Sequence, residues 1–251
     1  MDTPALSLDG VQRLWKTRYG VTASVSLDNL AARSLHSYGE WAEQELDLLS
    51  GLIQEGHSVL EFGGDYGAHA LWLSRTVGEK GQVHVAEPRR LEFQQLCANV
   101  ALNGLVNVHT HSVWLGRETA TTRQLDARPN RNGNDGERVR CASIDSLAMD
   151  GLNLIKVNLP GTLVALLQGA DESVRRFRPT IYVRLGGIEQ AAAEVKALKD
   201  AGYRCWSHLP YLYSADNHAG NSDNRFPGMV HQNVIATPIE ARLEFDRLRE
   251  I

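Results

Sequence analysis

Two acids and three glycines, placed at the ends of apolar runs, are the residues in this chain best suited to chemistry. The run from Ser58 ends on Glu61, and Gly63, Gly64 and Gly67 follow it. Leu71, Leu73 and Val77 then recur at helical spacing. The order reads as strand, tight turn, helix. Without Cβ atoms the backbone turns sharply and approaches a ligand closely. The helix behind it offers free N–H groups and the positive end of its dipole. A second apolar run, from Gln82, ends at Glu87. An acid at the tip of the second strand of such a unit accepts hydrogen bonds from a ribose diol. The glycine spacing, Glu61-x-Gly63-x-x-x-Gly67, is not G-x-G-x-x-G, which argues against a nicotinamide dinucleotide.

Positioning those groups takes alternating strands and helices. A short helix is expected from Asp9 to about Tyr19, with Val11, Leu14 and Trp15 on one face. A stronger one carries Trp41, Leu46, Leu49 and Ile53 and stops at Gly56. After Glu87, Pro88 suits a helix start, and Asn103-Gly104 a helix stop. Val106 to Val113 reads as a third strand, Asn130 to Gly136 as a mobile loop, and Arg138 to Ser143 as a short edge strand. Leu152 to Val157 is a buried fourth strand, followed by a helix from Leu163 to Phe177. Thr180 to Leu185, Tyr203 to Trp206 and Val230 to Thr237 complete the strands. His208 to Met229 is a long irregular segment, and Pro238 opens a charged C-terminal helix. The pattern predicts a doubly wound α/β fold with ligands beyond the carboxyl ends of the strands. The expected organisation is an N-terminal helical extension over 1–55, a binding domain over 56–238 and the terminal helix over 239–251.

The 251 residues suffice for one large α/β domain with an extension. A hydrophobic share of 43% allows a core. The net charge of -4 gives no bulk attraction to nucleic acid or anionic lipid. Cys97, Cys141 and Cys205 are too few and too far apart for a disulfide framework or a cysteine zinc site. A reducing, cytoplasmic setting is the expectation. The N-terminus lacks a secretory pattern and no apolar run approaches membrane-spanning length.

With these pieces placed, the sequence resembles the FkbM family of S-adenosylmethionine-dependent methyltransferases. The resemblance runs from about Tyr38 to Pro238. It rests on Gly39-Glu-Trp41, the Glu61–His69 motif, Ala86-Glu-Pro88 with Asn99 and Asn103, and Ser143-Ile-Asp-Ser-Leu147. Further pieces are Leu154-Ile-Lys-Val-Asn-Leu-Pro-Gly161, Gly169-Ala170, Arg178-Pro179, Leu209-Pro-Tyr-Leu-Tyr213 and the stretch from Asn217 to Asn233. It implies a class I, Rossmann-like fold with a seven-stranded, mostly parallel sheet. It also implies S-adenosylmethionine as cofactor and methyl transfer to a hydroxyl of a small metabolite or saccharide. Carried over, Glu61, Gly63 and Gly67 form the methionine-side turn, Glu87 holds the ribose hydroxyls, and Ser112 and Val113 flank the adenine.

The departures matter equally. Family members usually read Lys-(Ile/Val)-Asp-(Val/Ile)-Glu-Gly after the fourth strand; here Asn158 and Pro160 replace the two acids. Arg184 stands where an acid is usual after the fifth strand. Hard cations need anionic oxygen ligands, so the expectation is a metal-independent enzyme. The alternative is a catalytically impaired partner or binding subunit, in a homo- or hetero-oligomer. A hydroxyl acceptor needs its proton removed, and His208 is the first candidate, ahead of His36 and His69. Glu40 and Glu43 are candidates for the amino-acid end of the cofactor. The His208–Met229 segment, with Tyr211, Tyr213 and Asn217, is expected to act as a substrate lid.

Overall fold

The computed structural model describes residues 14–23, 29–126 and 136–251. Its first elements form a hairpin, β1 (Leu14–Thr17) and β2 (Gly20–Ala23), paired antiparallel. The hairpin replaces the helix expected from Asp9 to Tyr19. Trp15, Thr17, Val21 and Thr22 are aromatic or β-branched and favour extended backbone. Gly20, at φ 123, supplies the positive φ of the turn. The part of that expected helix before Leu14 lies outside the described residues. Next come α1 (Leu30–Tyr38) and α2 (Glu43–Ser50). Asn29 caps α1 by accepting the Ala32 N–H at 2.7 Å. The extension is therefore hairpin plus helices, not helical throughout.

The chain continues through β3 (Ser58–Phe62), α3 (Ala68–Val77), β4 (Gln82–Ala86), α4 (Arg90–Leu102) and β5 (Val108–His111). A short excursion follows: β6 (Val113–Leu115), β7 (Thr122–Leu125) and β8 (Glu137–Ala142). Then come β9 (Leu154–Val157), α5 (Leu163–Gln168), α6 (Asp171–Phe177), β10 (Thr180–Arg184) and α7 (Ile188–Asp200). The last strands are β11 (Tyr203–His208), β12 (Asn233–Pro238) and β13 (Arg249–Glu250).

The main sheet has eight strands in the order β13-β11-β12-β10-β9-β3-β4-β5. Neighbours from β5 to β10 are parallel, and the pairs made by β12 and β13 are antiparallel. All four residues of β9 are buried, as expected of a strand covered on both faces. Leu163, Val174 and Leu198 from α5, α6 and α7 cover one face. Leu49, Leu73 and Leu96 from α2, α3 and α4 cover the other. This is the doubly wound, class I methyltransferase architecture, with one strand more than the seven expected.

The extra strand, β13, lies where a C-terminal helix was expected. That tail has no continuous apolar face; Phe245 stacks edge-on against Trp206 at 5.0 Å, and β13 extends the sheet edge. The expected third strand divides at Ser112, leaving β5 in the main sheet and sending β6 into a second one. There β8, expected at an edge, is the central strand, between β6 and β7. The helix expected from Leu163 to Phe177 breaks at Gly169, where a Cβ would lie 2.0 Å from the Gly116 carbonyl oxygen. The expected mobile loop at Asn130–Gly136 falls, except for Gly136, outside the described residues. Among the described residues no helix is long and apolar enough to cross a membrane.

Candidate active site

The turn after β3 is shaped by packing as well as by dihedral demand. Gly63 and Gly67 have φ values of 87 and 83. A Cβ on Gly63 would lie 2.8 Å from Leu159, one on Gly64 2.3 Å from Val85, and one on Gly67 2.6 Å from Leu96. The glycines thus let β4, α4 and the segment after β9 close around the turn. On the open side lies a small pocket. Glu61, the turn from Gly63 to Tyr66, Ala68, His69 and Asn158 line it, with Ala31, Leu35 and Trp41 closing it from above.

Glu61 is buried, and Asn158 Nδ2 donates to its Oε1 at 2.8 Å and to the Gly63 carbonyl at 2.9 Å. The other carboxyl oxygen, Oε2, is buried without a hydrogen-bond partner among the described residues. Burial pushes the Glu61 carboxyl up to about 7, against the pull of Lys156 and Asn158. His69 Nδ1 lies 3.7 Å from Glu61 Oε1, and its Nε2 lies 2.9 Å from the Trp41 carbonyl. Burial, aided by Lys156, lowers His69 to about 3, so the ring is neutral. Its Nε2–H therefore donates to Trp41, and its Nδ1 lone pair faces Glu61.

Glu87, one residue past β4, is also buried. Its two oxygens accept the backbone N–H groups of Asp65 and Arg89, each at 2.9 Å. Burial and the nearby Asp65 charge raise it to about 8, while the two amides oppose that rise. Ser112 and Val113 stand beside it, because the Glu87 N–H donates to the His111 carbonyl at 3.0 Å. Trp114 follows, edge-on to Phe62 at 5.6 Å, with the Arg123 guanidinium 4.2 Å over its ring.

Beyond β9 and β10 lies a second polar cluster. Lys156, fully buried, donates to Glu45 Oε2 at 2.9 Å and, in a short contact, to Asn158 Oδ1. Glu45 Oε1 accepts from Arg184 at 3.3 Å and Asn233 at 3.0 Å, and lies 2.7 Å from His231 Nδ1. Burial pushes the Glu45 carboxyl up, but Lys156, Arg184 and His231 outweigh it and hold the group well below the usual range. Asn233 also donates to the Tyr182 hydroxyl, which pairs with His208 Nδ1, each at 2.7 Å.

The structure brings Glu61 and Gly63 to one pocket, with Gly67 behind it against Leu96, and Glu87, Ser112 and Val113 to the adjoining strand tips. Four other candidates have partners of their own. His208 ends β11, four strands from β3; at about 4.8 Å per strand that is about 19 Å of sheet, and its ring is engaged by Tyr182. Glu40 accepts from Arg18 at 3.0 Å and from the His218 N–H at 2.9 Å, tying hairpin to loop. Glu43 bonds the Tyr19 hydroxyl in a short contact. His36 stacks edge-on against Trp15 at 5.4 Å. The irregular segment after His208 straps α1: Asn221 donates to the Ser37 carbonyl at 3.0 Å, and the Arg225 N–H to the Tyr38 hydroxyl at 2.7 Å.

Sequence reasoning missed Glu45 and His231. Lys156 carried a legible signal, a lone charge inside a buried apolar strand; such a charge requires a buried partner. Glu45 itself sits among the apolar residues of α2, with no spacing to mark it.

A β-sheet doubly wound by helices, with acids at adjacent strand tips beside a glycine turn, defines a nucleoside-binding α/β enzyme. The model of the methyltransferase FkbM domain matches residues 63–205, and the chain belongs to that family. Solved structures resemble the chain at low identity. The methyltransferase FkbM of Methylobacillus flagellatus is 16% identical with a TM-score of 0.50; the match covers 74% of this chain and 45% of that one. A precorrin-6y C5,15-methyltransferase of Geobacter metallireducens is 13% identical with a TM-score of 0.51, over 78% of this chain and 87% of that one. A SAM-dependent methyltransferase of Aquifex aeolicus is 20% identical with a TM-score of 0.47, over 85% and 95%. No curated protein matches the chain.

Proposed function

We propose that this FkbM-family protein uses S-adenosylmethionine to methylate an oxygen of a small metabolite or saccharide. One observation carries the cofactor reading: Glu61 Oε2 is a buried acceptor without a partner, on a residue that lines the cavity. A buried polar atom left unpaired costs about 1–3 kcal/mol. An ammonium group supplies the missing donor and favours the ionised carboxylate, and the methionine part of the cofactor carries one. Glu61, Gly63 and Gly67 would hold that part. Glu87, with Ser112 and Val113, would hold the nucleoside; a carboxylate has lone pairs left after two amide donors. The cofactor, when bound, supplies an electrophilic methyl group. The chain contributes alignment of the two substrates, which carries much of the rate in such displacements.

Independence from metal follows from the acceptor side, where Asn158, Pro160 and Arg184 offer no anionic oxygen. His208, paired with Tyr182 beside the Arg184 cluster, is given no proton-removing role in this reading. Calorimetry with S-adenosylmethionine and S-adenosylhomocysteine is the test. Saturable binding by wild type, weakened at least about tenfold in Glu61→Ala, is expected, since hydrogen bonds to charged groups contribute about 1.5–3 kcal/mol. No binding of either ligand to folded protein at millimolar concentration would sink the proposal. Binding without turnover over a broad panel of hydroxyl and acid acceptors would favour a non-catalytic partner subunit.

A further inference from the structure

The acceptor side of the sheet holds more positive than negative charge. Lys156 and Arg184 share the Glu45 carboxylate, at 2.9 and 3.3 Å. Glu61 is the next nearest acid, 4.0 Å from Lys156. His69, His208 and His231, the histidines around the cluster, are all lowered by burial and stay neutral at pH 7. With Glu61 protonated, the two cations exceed Glu45 by one charge. With Glu61 ionised beside a bound cofactor, the sulfonium and ammonium outnumber the cofactor's own carboxylate, and the excess of one returns. Such a charge away from water requires a counter-ion.

Arg184 also has an unused donor. Its Nη2 bonds Glu45, while its Nε is buried without a partner among the described residues. The side chain is 16% exposed, unlike Lys156, which is sealed off. It stands at the end of β10, beside Asn158 on the neighbouring strand end, where a doubly wound sheet presents ligands. Guanidinium edges match carboxylates in geometry, and such charge-assisted bonds are about twice as strong as neutral ones.

We propose that Arg184, backed by Lys156, binds a carboxylate carried by the methyl acceptor. The inference rests on the methyl-transfer reading and narrows its substrate class. A monoanion balances one excess charge; a phosphate dianion overshoots it.

The probes are hexanoate, 1-hexanol and inorganic phosphate, added to the full chain with S-adenosylmethionine bound. Binding is read from tryptophan fluorescence, since the Trp41 ring lies 5.4 Å from that of His231. Hexanoate should saturate at least about tenfold more tightly than hexanol or phosphate. Arg184→Gln should erase the preference for hexanoate while S-adenosylhomocysteine still binds by calorimetry. If that variant does not fold, Arg184→Lys keeps a cation for Glu45, and hexanoate should weaken several-fold because the planar fork is lost. Equal affinity for hexanoate and hexanol, phosphate binding as tight as hexanoate, or an undiminished preference in the folded variants would overturn the inference. Failure of wild type to bind S-adenosylhomocysteine would instead overturn the methyl-transfer reading.

Discussion

At the scale of single residues, Glu61 and Asn158 decide the character of the cavity. A carboxyl whose folded value stands near 7, against about 4.3 in an unfolded chain, holds its proton longer in the native state. Its contribution to stability is present below about pH 4 and is lost as pH rises through 7. In urea titrations, wild type should lose stability between pH 6 and 8.5. Glu61→Gln should lose less over that range, by on the order of 1–2 kcal/mol, and an identical slope in both would refute the assignment. Asn158 explains how the acid is tolerated, since its amide donates to both Glu61 and the Gly63 carbonyl. Asn158→Asp restores the acid usual in the family and removes both donors. It should destabilise the protein by roughly 1–3 kcal/mol at pH 8 and by less at pH 5, as thermal melts at the two pH values will show. The chain's loss of acids at positions 158, 160 and 184 was legible from the sequence. The partners those positions acquired were not, because Glu45 and His231 come from elements far apart in the chain.

At the scale of elements, Asn99 and Asn103 show how the turn is braced. Asn99 lies in the last turn of α4 and Asn103 caps its end, and together they imitate a neighbouring strand for the β1–β2 hairpin. Asn99 accepts the Ala23 N–H at 2.7 Å and donates to its carbonyl at 3.1 Å; Asn103 does the same for Val21 at 3.0 and 2.7 Å. Asn99 also donates to the Tyr66 carbonyl at 2.7 Å, linking hairpin, helix and glycine turn. Asn99→Ala should cost about 2–4 kcal/mol, because it strips partners from several backbone groups at once. Chemical denaturation measures that loss, and a change below about 0.5 kcal/mol would show that the brace carries no weight. Both asparagines stood out in the sequence without a role, since the first half of the hairpin looked helical there and Val21 and Ala23 lay in a stretch without clear periodicity. Leu14 and Trp15 fit a helical face in isolation, and only docking on α4 selects the strand pairing. The β3–α3–β4 unit was legible because strand, glycine turn and helix all lie in one short stretch.

At the scale of the whole molecule, one buried carboxylate joins the extension to the sheet. Glu45 belongs to α2, yet its partners are Lys156 of β9, Arg184 of β10, Asn233 of β12 and His231 just before it. The N-terminal helices are therefore fastened at the carboxyl ends of the strands, where they close the cavity through Ala31, Leu35 and Trp41. Removing the carboxylate strands Lys156 in a dry interior and leaves the partly exposed Arg184 unpaired; breaking a buried pair costs about 3–5 kcal/mol. Glu45→Gln should lower stability by about that amount in guanidinium titrations. It should also weaken binding of S-adenosylhomocysteine, since α1 and Trp41 lose their anchor to the sheet. Lys156→Met alone leaves Glu45 with Arg184 and should be milder. The double variant Glu45→Gln, Lys156→Met should then be more stable than Glu45→Gln alone, because the stranded charge is gone. If instead the two losses simply add, the cluster is a set of independent bonds, and the extension is held to the sheet by its apolar contacts.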